Sequence, residues 1–418
     1  MVKVSDCGAD IMYDANKIRN DFPILAKKIN NRQIYYLDTS ASAQKPFCVI
    51  DKMHYIYTEA YANPHRGSYY FADAITTEFE KARQTVAEFI NARESREIIF
   101  TRNATEAINL VASSWGKDNL RSGDEVLISE AEHHANLVPW QQICLATGAK
   151  LVVTPVDDNG NFLEDEFIQR LSSKTKMVAI TAMSNVLGTV FPIEQITEQA
   201  HKAGAKVLID ACQFAVHNHI DVQNIRCDFL AFSAHKTYGP SGVGALYGKA
   251  ELLQKMPPYQ FGGDMIDNVT YERTTFADIP ARFEAGTPAS VQAIGMAEGL
   301  RYMTNLGLAN IMAHEKELTQ YTLMRLKQVP NLKIVGQAKN RGGVFSFAIA
   351  DIHPQDIAFI LNKENVFIRT GHHCAQPIVN RMGYTSLARA SLGLYSTTED
   401  IDALVEALLK AEKFFREN

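Results

Sequence analysis

One cysteine stands in a polar stretch where its thiol has the surroundings of a nucleophile. Cys374 follows two histidines in RTGHHCAQP, residues 369–377. Its glycine and polar neighbours favour a loop, although a buried, inert thiol is the commoner fate of cysteines. Attack requires the thiolate, which a cation such as Arg369 or a protonated histidine would favour. We predict that Cys374 is a nucleophile tuned or shielded by His372 or His373, unless one of that pair only packs or caps.

A metal site in this loop is a weaker interpretation. Adjacent residues do not easily supply the tetrahedral ligand set of zinc, and no neighbouring cysteine or histidine pair completes four ligands. The 6 cysteines of the chain are scattered without a CxxC pair. We therefore predict no metal site, and we expect free thiols in a reducing compartment, the cytoplasm.

A lysine and an aspartate each follow an apolar run of the kind that forms a buried strand. Lys236 comes after DFLAFSAH, and Asp210 ends AKVLID. A lysine at a strand end can lose its proton in a pocket and form a Schiff base. A carboxylate there can pair with a protonated pyridine nitrogen, which pyridoxal 5'-phosphate needs to act as an electron sink. The spacing alone leaves open a surface lysine and a helix-capping aspartate.

The start of a helical pattern offers a candidate phosphate site. In TRNATEAINL, small polar residues come first, and free N–H groups and the helix dipole at such a position favour an anion. Thr105 is the expected side-chain donor, and Ser233 and His235 flank the lysine and could reach the same phosphate. A routine helix cap is the more common use of such a stretch.

A histidine pair after another apolar run offers a group for proton transfer. His133 follows DEVLIS within AEHHAN. An imidazole at this place can stack on a cofactor ring and exchange protons. A lone histidine is more often structural, and the sequence leaves open whether His133 or His134 faces the site.

These residues need a sheet whose strands end at one edge. From about residue 97, helical stretches alternate with the apolar runs EIIF, DEVLIS, KLVVTPV, KMVAITAM, AKVLIDAC and DFLAFSAH. The runs are too apolar for half-exposed strands, so they predict a mainly parallel sheet covered on both faces. GVGALYG is one more candidate strand, with an antiparallel orientation open to it. Ligands of such sheets sit beyond the carboxyl ends of the strands, where the polar residues of this chain are concentrated.

The pattern changes after FEAGTPAS, which indicates a second domain. A chain of 418 residues is also too long for one ordinary core. We predict a large domain over 30–290 and a smaller α+β domain formed by 1–29 and 291–418. Its expected elements are helices at about 288–305 and 307–328, the strands NLKIVG and GGVFSFAIA, and helices from about 354 and 398.

Composition and charge argue against two classes of partner. A net charge of −5 gives no electrostatic reason to bind nucleic acid. No run of about 18 apolar residues occurs, so no transmembrane helix is expected. The first residues also lack the apolar segment of a signal peptide. We therefore predict no nucleic-acid partner and no membrane partner.

Several long motifs make the chain resemble the SufS-type (group II) cysteine desulfurases of the class V aminotransferase family. The motifs are YLDTSASAQKP, HRGSYYF, EHHANLVPWQ, SNVLGT, HKTYGPSGVGALY, RFEAGTP and RTGHHCAQP. The resemblance runs from DFPIL near residue 21 to the last helix. It implies an α/β protein with the pyridoxal-phosphate-dependent transferase fold of type I. The large domain would contain a mainly parallel seven-stranded sheet, beside a smaller α+β domain.

The resemblance also implies a residue for each contact with pyridoxal 5'-phosphate. Lys236 would be the Schiff-base lysine, Asp210 the partner of the pyridine nitrogen and His133 the stacking residue. The remaining cofactor contacts would be Gln213 at the ring hydroxyl, Thr105, Ser233 and His235 at the phosphate, and Thr287 from the other subunit. The chain departs from similar proteins in reading DACQ and SAHK, which places Cys212 as a second thiol near the cofactor.

The substrate site follows from the same motifs. Cys374 matches the persulfide-forming cysteine, and Asn185 and Arg389 would bind the substrate carboxylate. The residues implied to line the pocket are His65, Arg66 and Arg369.

The implied activity is conversion of L-cysteine to L-alanine with a persulfide formed on Cys374. A homodimer would pass this sulfur to a SufE- or SufU-type acceptor for iron–sulfur cluster assembly. One alternative is a selenocysteine lyase or cysteine sulfinate desulfinase. Another is a non-catalytic scaffold that docks sulfur-transfer partners. A true aminotransferase would leave RTGHHCAQP unexplained.

Overall fold

A seven-stranded sheet lies at the centre of the fold. The computed structural model describes residues 13–65 and 67–417. The strands of the sheet are Ile98–Thr101 (β1), Glu125–Ser129 (β2), Lys150–Thr154 (β3), Thr175–Thr181 (β4), Lys206–Asp210 (β5), Phe229–Ser233 (β6) and Gly244–Gly248 (β7). Their order is β1-β7-β6-β5-β4-β2-β3. The strands from β6 to β3 are parallel, and β7 is antiparallel to β6 and β1. The predicted sheet is confirmed, including an antiparallel strand at GVGALYG.

Side chains from both faces of this sheet are buried. Along β4, Val178 and Ile180 belong to one apolar cluster, whereas Met177 and Ala179 belong to another. Full burial of a valine, isoleucine or methionine side chain contributes about 1.5–3 kcal/mol relative to exposure. Two covered faces explain why the strands read as almost continuous apolar runs.

Helices cover the sheet and extend beyond it. The α-helices within the described residues are Ala15–Arg19, Phe47–Glu59, Tyr70–Phe89, Ala104–Val111, Lys117–Asn119, Val138–Thr147, Glu164–Arg170, Ile193–Lys202, Phe214–His217, Val222–Ile225, Ala250–Leu253, Ser290–Leu306, Leu308–Leu326, Pro354–Lys363, Gln376–Arg381 and Thr398–Glu417. Short 3₁₀ helices occupy Pro23–Ala26, Ser95–Glu97, His134–Asn136 and Ala281–Phe283, and a π-helical turn occupies Ala112–Gly116. None of the described helices is long and apolar enough to cross a bilayer.

A second sheet of four antiparallel strands carries the cysteine loop. Its strands are Leu332–Val335 (β8), Val344–Ile349 (β9), Arg369–Gly371 (β10) and Leu387–Ser391 (β11), in the order β8-β9-β11-β10. Apolar residues of helices Pro354–Lys363 and Thr398–Glu417 pack in one cluster with this sheet. The loop with Cys374 therefore leaves β10 and enters helix Gln376–Arg381.

The remaining strands within the described residues form three two-stranded sheets. They are Lys28–Ile29 with Arg32–Gln33, Ile266–Val269 with Thr274–Phe276, and Tyr35–Tyr36 with Val366–Phe367.

The division into two domains remains a prediction. The predicted boundary near 290 coincides with the start of helix Ser290–Leu306, but Val291 and Ile294 of this helix pack in one cluster with Ile56 and Ile75 from earlier helices. Residues 1–12 of the predicted smaller domain lie outside the described residues.

Candidate active site

One cavity at the carboxyl edge of the large sheet collects most of the predicted site residues. Its volume is about 260 Å³. The predicted residues among its lining are Thr105, His133, Asn185, Asp210, Gln213, Ser233, His235, Lys236, Arg369, Cys374 and Arg389. The sheet explains this meeting, since the ends of neighbouring parallel strands point the same way. Sequence reasoning missed other residues of the lining, which include Ser40, Asn103, Thr181 and Met183.

The lysine and the aspartate follow neighbouring strands of this edge. Asp210 is the last residue of β5 and is 4% exposed. Its carboxylate accepts a 3.0 Å hydrogen bond from the backbone N–H of Cys212. Lys236 follows β6 and lines the same cavity. A buried carboxylate and a lysine thus face one pocket, as a pyridine ring with a carbonyl group would require.

His133 lies in this pocket as a neutral imidazole. Burial, aided by the charge of Lys236, lowers its pKa to about 4. Its Nδ1 accepts a 3.0 Å hydrogen bond from the backbone N–H of Ala135. The proton of the neutral ring therefore resides on Nε2.

A buried carboxyl group that sequence reasoning missed holds the segment around His133. Glu132 accepts hydrogen bonds from the Ser129 hydroxyl at 2.5 Å, the Thr181 backbone N–H at 3.0 Å and the Asn136 side-chain amide at 2.7 Å. Burial raises the pKa of Glu132 to about 8. The EHHAN motif is therefore fixed to the ends of β2 and β4.

The start of helix Ala104–Val111 forms the opposite wall. Asn103 caps this helix, because its side chain accepts a 2.9 Å hydrogen bond from the backbone N–H of Glu106. The Ser233 hydroxyl accepts a 2.8 Å bond from the N–H of Ala104, which joins the helix start to the end of β6. A Cβ at Gly244 would come within 2.8 Å of the Asn103 backbone, so this approach requires glycine. Small polar groups and a helix start thus occur together, as an anion site needs.

One buried acceptor in this cavity lacks a partner among the described residues. The side-chain nitrogen of Gln213 donates to the carbonyl of Ser40 at 2.9 Å, but its Oε1 is buried without a hydrogen bond. Burying an unpaired polar atom is unfavourable. A ligand with a hydroxyl donor, such as a pyridoxal ring, fits this acceptor.

The far side of the pocket is built around a buried guanidinium. Arg389 on β11 is 2% exposed and donates to the backbone oxygen of Asn185 at 3.0 Å and to Asp38 at 3.3 Å. Its Nε is buried without a partner among the described residues. Burial lowers the pKa of Arg389 to about 10. Arg369, which is exposed, also approaches Asp38 at 3.9 Å. This end is suited to a carboxylate.

The cysteine loop makes a turn in left-handed backbone. His373 and Cys374 have φ angles of 52° and 54°, and Gly371 has a φ of 123°. The Cys374 side chain is exposed at the pocket. Nε2 of His373 donates to the carbonyl of Leu387 at 3.1 Å, and burial lowers the pKa of His373 to about 3. His373 is therefore a neutral, packed residue rather than a cation beside the thiol.

Two predicted residues lie outside this cavity. His65 contacts Glu80 at 3.1 Å, and this hydrogen bond raises the pKa of His65. Thr287 lines a separate cavity of about 320 Å³ together with Arg102 and Glu106. Arg66 lies outside the described residues.

Cys212 lines the cavity as expected from the DACQ motif. Burial and the Asp210 carboxylate raise the pKa of its thiol, so it is protonated. No cluster of metal-ligating side chains occurs in the part of the chain that the structure describes.

Comparison with known proteins places the chain among pyridoxal enzymes. The family profile described as Aminotransferase class-V matches residues 35–404. A Synechocystis protein named "Probable cysteine desulfurase" is 45% identical over 407 residues, 97% of each chain. A "Cysteine desulfurase" of Synechococcus elongatus is 44% identical over 400 residues, which are 96% of this chain but only 64% of that longer protein. The crystal structure of the Escherichia coli cysteine desulfurase CsdA, as its S-sulfonic acid, matches with a TM-score of 0.89 and 34% identity over 96% of this chain and 99% of that one.

Proposed function

The chain belongs to the class-V aminotransferase family as a pyridoxal-phosphate-dependent cysteine desulfurase, and we propose that Cys374 receives the sulfur of L-cysteine. The predicted class V aminotransferase family, the cysteine desulfurase activity and the cofactor are thereby confirmed. The observation that carries the proposal is the shared cavity, in which exposed Cys374 meets Lys236 and Asp210. In the overall reaction the carbon–sulfur bond of cysteine breaks and a sulfur–sulfur bond forms at Cys374. A proton goes to the carbon that becomes the methyl group of L-alanine.

Four residues support the ring end of the cofactor site. When bound, pyridoxal 5'-phosphate supplies an electron sink for the α-carbon of an amino acid. We assign the covalent attachment to Lys236, the ring nitrogen to Asp210 and the ring face to His133. Gln213 would accept from the ring hydroxyl through its unpartnered Oε1, and its own amide is already fixed by Ser40.

The phosphate end rests on the other wall of the cavity. Thr105, Ser233 and His235 are the residues that we assign to it. Burial lowers the pKa of His235 to about 4, so this ring is neutral and would bind through its N–H. Thr287 lines a different cavity in its own chain, so in our proposal this contact comes from Thr287 of the partner subunit.

Arg389 and Asn185 would bind the substrate carboxylate. The guanidinium of Arg389 is held by Asp38 and by the backbone of Asn185, so little side-chain freedom remains to be lost on binding. Arg369 would add charge at the open side of the pocket. We keep His65 and Arg66 as predicted residues of the substrate pocket.

Lys236, once free as an amine, would take the α-proton of the substrate. His133 is neutral and carries its proton on Nε2, so it can donate a hydrogen bond into the pocket at neutral pH. Cys374 would attack the substrate sulfur as a thiolate.

We also propose a SufS-type homodimer that works in the cytoplasm. Large aromatic side chains are exposed on helix Phe47–Glu59 and near the strand pair of Ile266–Val269 with Thr274–Phe276. Examples are Tyr57, Phe261 and Tyr271. Exposed aromatic patches of this kind mark protein interfaces. The described cysteines are free thiols, as a reducing compartment favours. The persulfide would pass to a SufE- or SufU-type acceptor for iron–sulfur cluster assembly.

Incubation with L-cysteine tests this function. We expect alanine in step with protein-bound persulfide, and faster turnover when a SufE- or SufU-type acceptor removes the sulfur. Lys236→Ala is the matched control, because it removes the attachment point and leaves Cys374 in place. Protein that takes up no pyridoxal 5'-phosphate, or that forms alanine without bound sulfur, would contradict the proposal.

A further inference from the structure

We propose that His134 is a positioning residue, which holds Cys374 at the pocket by binding the backbone of the cysteine loop on both sides. The proposal rests on the function proposed above, because it gives Cys374 the role of sulfur carrier. His134 lies next to the stacking residue in EHHAN and contacts no group that the reaction consumes.

Two hydrogen bonds join His134 to the loop. Its backbone N–H donates to the carbonyl oxygen of Cys374 at 2.7 Å. Its Nε2 accepts from the backbone N–H of Gln376 at 3.0 Å. The peptide groups before and after Ala375 are thus tied to one residue of another segment.

The second bond fixes the protonation state that His134 needs. An Nε2 that accepts an N–H must carry no proton, so the neutral ring has its proton on Nδ1. Burial, with the neighbouring His372, lowers the pKa of His134, which keeps the ring neutral. The other titratable groups that face it are His133 and Cys374. Since the Nε2 lone pair is already engaged, His134 acts through the loop and takes no proton from the thiol.

The conformation of the loop explains why it needs such support. His373 and Cys374 both have left-handed φ angles, and neither is glycine. Left-handed backbone is unfavourable for L-amino acids other than glycine. The net contribution of a single hydrogen bond is small, so several are required to hold the turn. His134 supplies two, and the Asn185 side chain supplies another to the carbonyl of His373 at 2.6 Å.

The same short segment also places the ring-facing imidazole. Glu132 fixes the segment to Ser129 and Thr181, His133 faces the cavity, and His134 binds the cysteine loop. Residues 132–134 therefore set the position of the thiol relative to the cofactor site. Misplacement of a reacting group by about 1 Å can cost about 100-fold in rate.

Two variants test whether the side chain of His134 positions the cysteine loop. In His134→Ala we expect cofactor absorbance to stay, while kcat for alanine falls about 10- to 100-fold and KM changes little. The backbone N–H of Gln376 should exchange faster with deuterium, and Cys374 should alkylate at a changed rate. In His134→Gln the side-chain oxygen can accept from Gln376, so kcat and exchange should return to within a few-fold of wild type.

His353→Ala is the matched control. His353 also accepts a backbone N–H, that of Gln355 at 3.2 Å, but at the start of helix Pro354–Lys363 away from the cavity. It should leave all five readouts unchanged.

Wild-type kcat in His134→Ala overturns the proposal. So does equal impairment of the alanine and glutamine variants, or loss of cofactor absorbance in both. If wild-type protein made no alanine, the function proposed above would fail, whereas hydrogen exchange at Gln376 would still decide whether His134 holds the loop.

Discussion

The side-chain amide of Asn185 donates a 2.6 Å hydrogen bond to the carbonyl oxygen of His373, the residue before the exposed thiol. Asn185 is 6% exposed, and its own backbone oxygen accepts from Arg389. The amide has a second hydrogen, which is free to meet a substrate carboxylate. One residue thus lines the proposed substrate site and also binds the loop that carries Cys374.

Asn185→Ala should weaken substrate binding. A hydrogen bond to a charged group contributes about 1.5–3 kcal/mol, so KM for cysteine should rise about 10- to 100-fold with cofactor absorbance unchanged. Steady-state kinetics with L-cysteine measures this effect. Asn310→Ala is the control. The side chain of Asn310 also donates to a backbone carbonyl, that of Leu306, but at an exposed position. An unchanged KM in Asn185→Ala would remove this residue from the substrate site.

Cys374→Ala should form no protein-bound persulfide and should keep the spectrum of the bound cofactor. The reason is that in our proposal its thiol is the sulfur acceptor, whereas the assigned cofactor contacts follow strands of the large sheet. Mass spectrometry after incubation with cysteine measures the bound sulfur. Cys48→Ala, which changes a half-buried thiol in helix Phe47–Glu59, should behave as wild type.

Cys374→Ala also distinguishes a cysteine desulfurase from the alternative, a selenocysteine lyase. A desulfurase that depends on its thiol loses cysteine turnover in Cys374→Ala. A selenocysteine lyase indifferent to the thiol would keep selenide release from selenocysteine in this variant, and that result would favour the alternative.

Acid should destabilise the protein through its buried histidines. Burial lowers the pKa of His133 to about 4 and of His373 to about 3, below the ordinary value of 6.5. In this window the unfolded chain binds protons that the folded chain does not, so stability falls as pH falls from about 6.5 towards 4. Each pKa unit of difference corresponds to about 1.4 kcal/mol. Thermal unfolding between pH 7 and 5 measures the effect.

His373→Gln should make this pH dependence shallower. Glutamine does not titrate, and its amide can still donate to the carbonyl of Leu387. His54→Gln, at an exposed position, is the control. If stability depended equally steeply on pH in wild type and His373→Gln, His373 would not be the cause of the acid destabilisation.

Charge placed on the exposed aromatic residues near the strand pair of Ile266–Val269 with Thr274–Phe276 should disrupt the proposed dimer. Tyr271→Glu combined with Phe261→Glu should lower the mass in solution towards the 46.6 kDa of one chain. Because we assign one phosphate contact to Thr287 of the partner subunit, this variant should also retain cofactor less well. Analytical ultracentrifugation and cofactor dialysis measure the two effects. Phe359→Glu, on the exposed face of helix Pro354–Lys363, should remain dimeric. A wild-type protein that is monomeric at all concentrations would refute the interface.

The sequence was sufficient for the sheet and for much of the cavity. Buried parallel strands are recognisable as apolar runs such as DFLAFSAH. Because the strands are parallel, the residues that follow these runs lie at the same edge of the sheet. Asp210 and Lys236 were found in this way. The specific motifs then supplied Asn185 and Arg389, which come from loops and strands far apart in the chain.

Other features depend on contacts that no local pattern encodes. Glu132 reads as one more acidic residue until the fold brings Thr181 and Asn136 to it. The hydrogen bond from the backbone N–H of Gln376 to His134 joins positions that are 242 residues apart in the sequence. Thr287 and His65 lie away from the cavity of their own chain, and the sequence motifs did not indicate this position.

The thiol and the lysine are positioned by different sheets. Cys374 follows a strand of the four-stranded sheet, and Lys236 follows a strand of the seven-stranded sheet. In the proposed mechanism, electron withdrawal and sulfur capture thus belong to different parts of the fold. Evolution or a protein engineer can exchange the capturing loop, or tune its reach and exposure, while the machinery that loosens the carbon–sulfur bond is inherited intact.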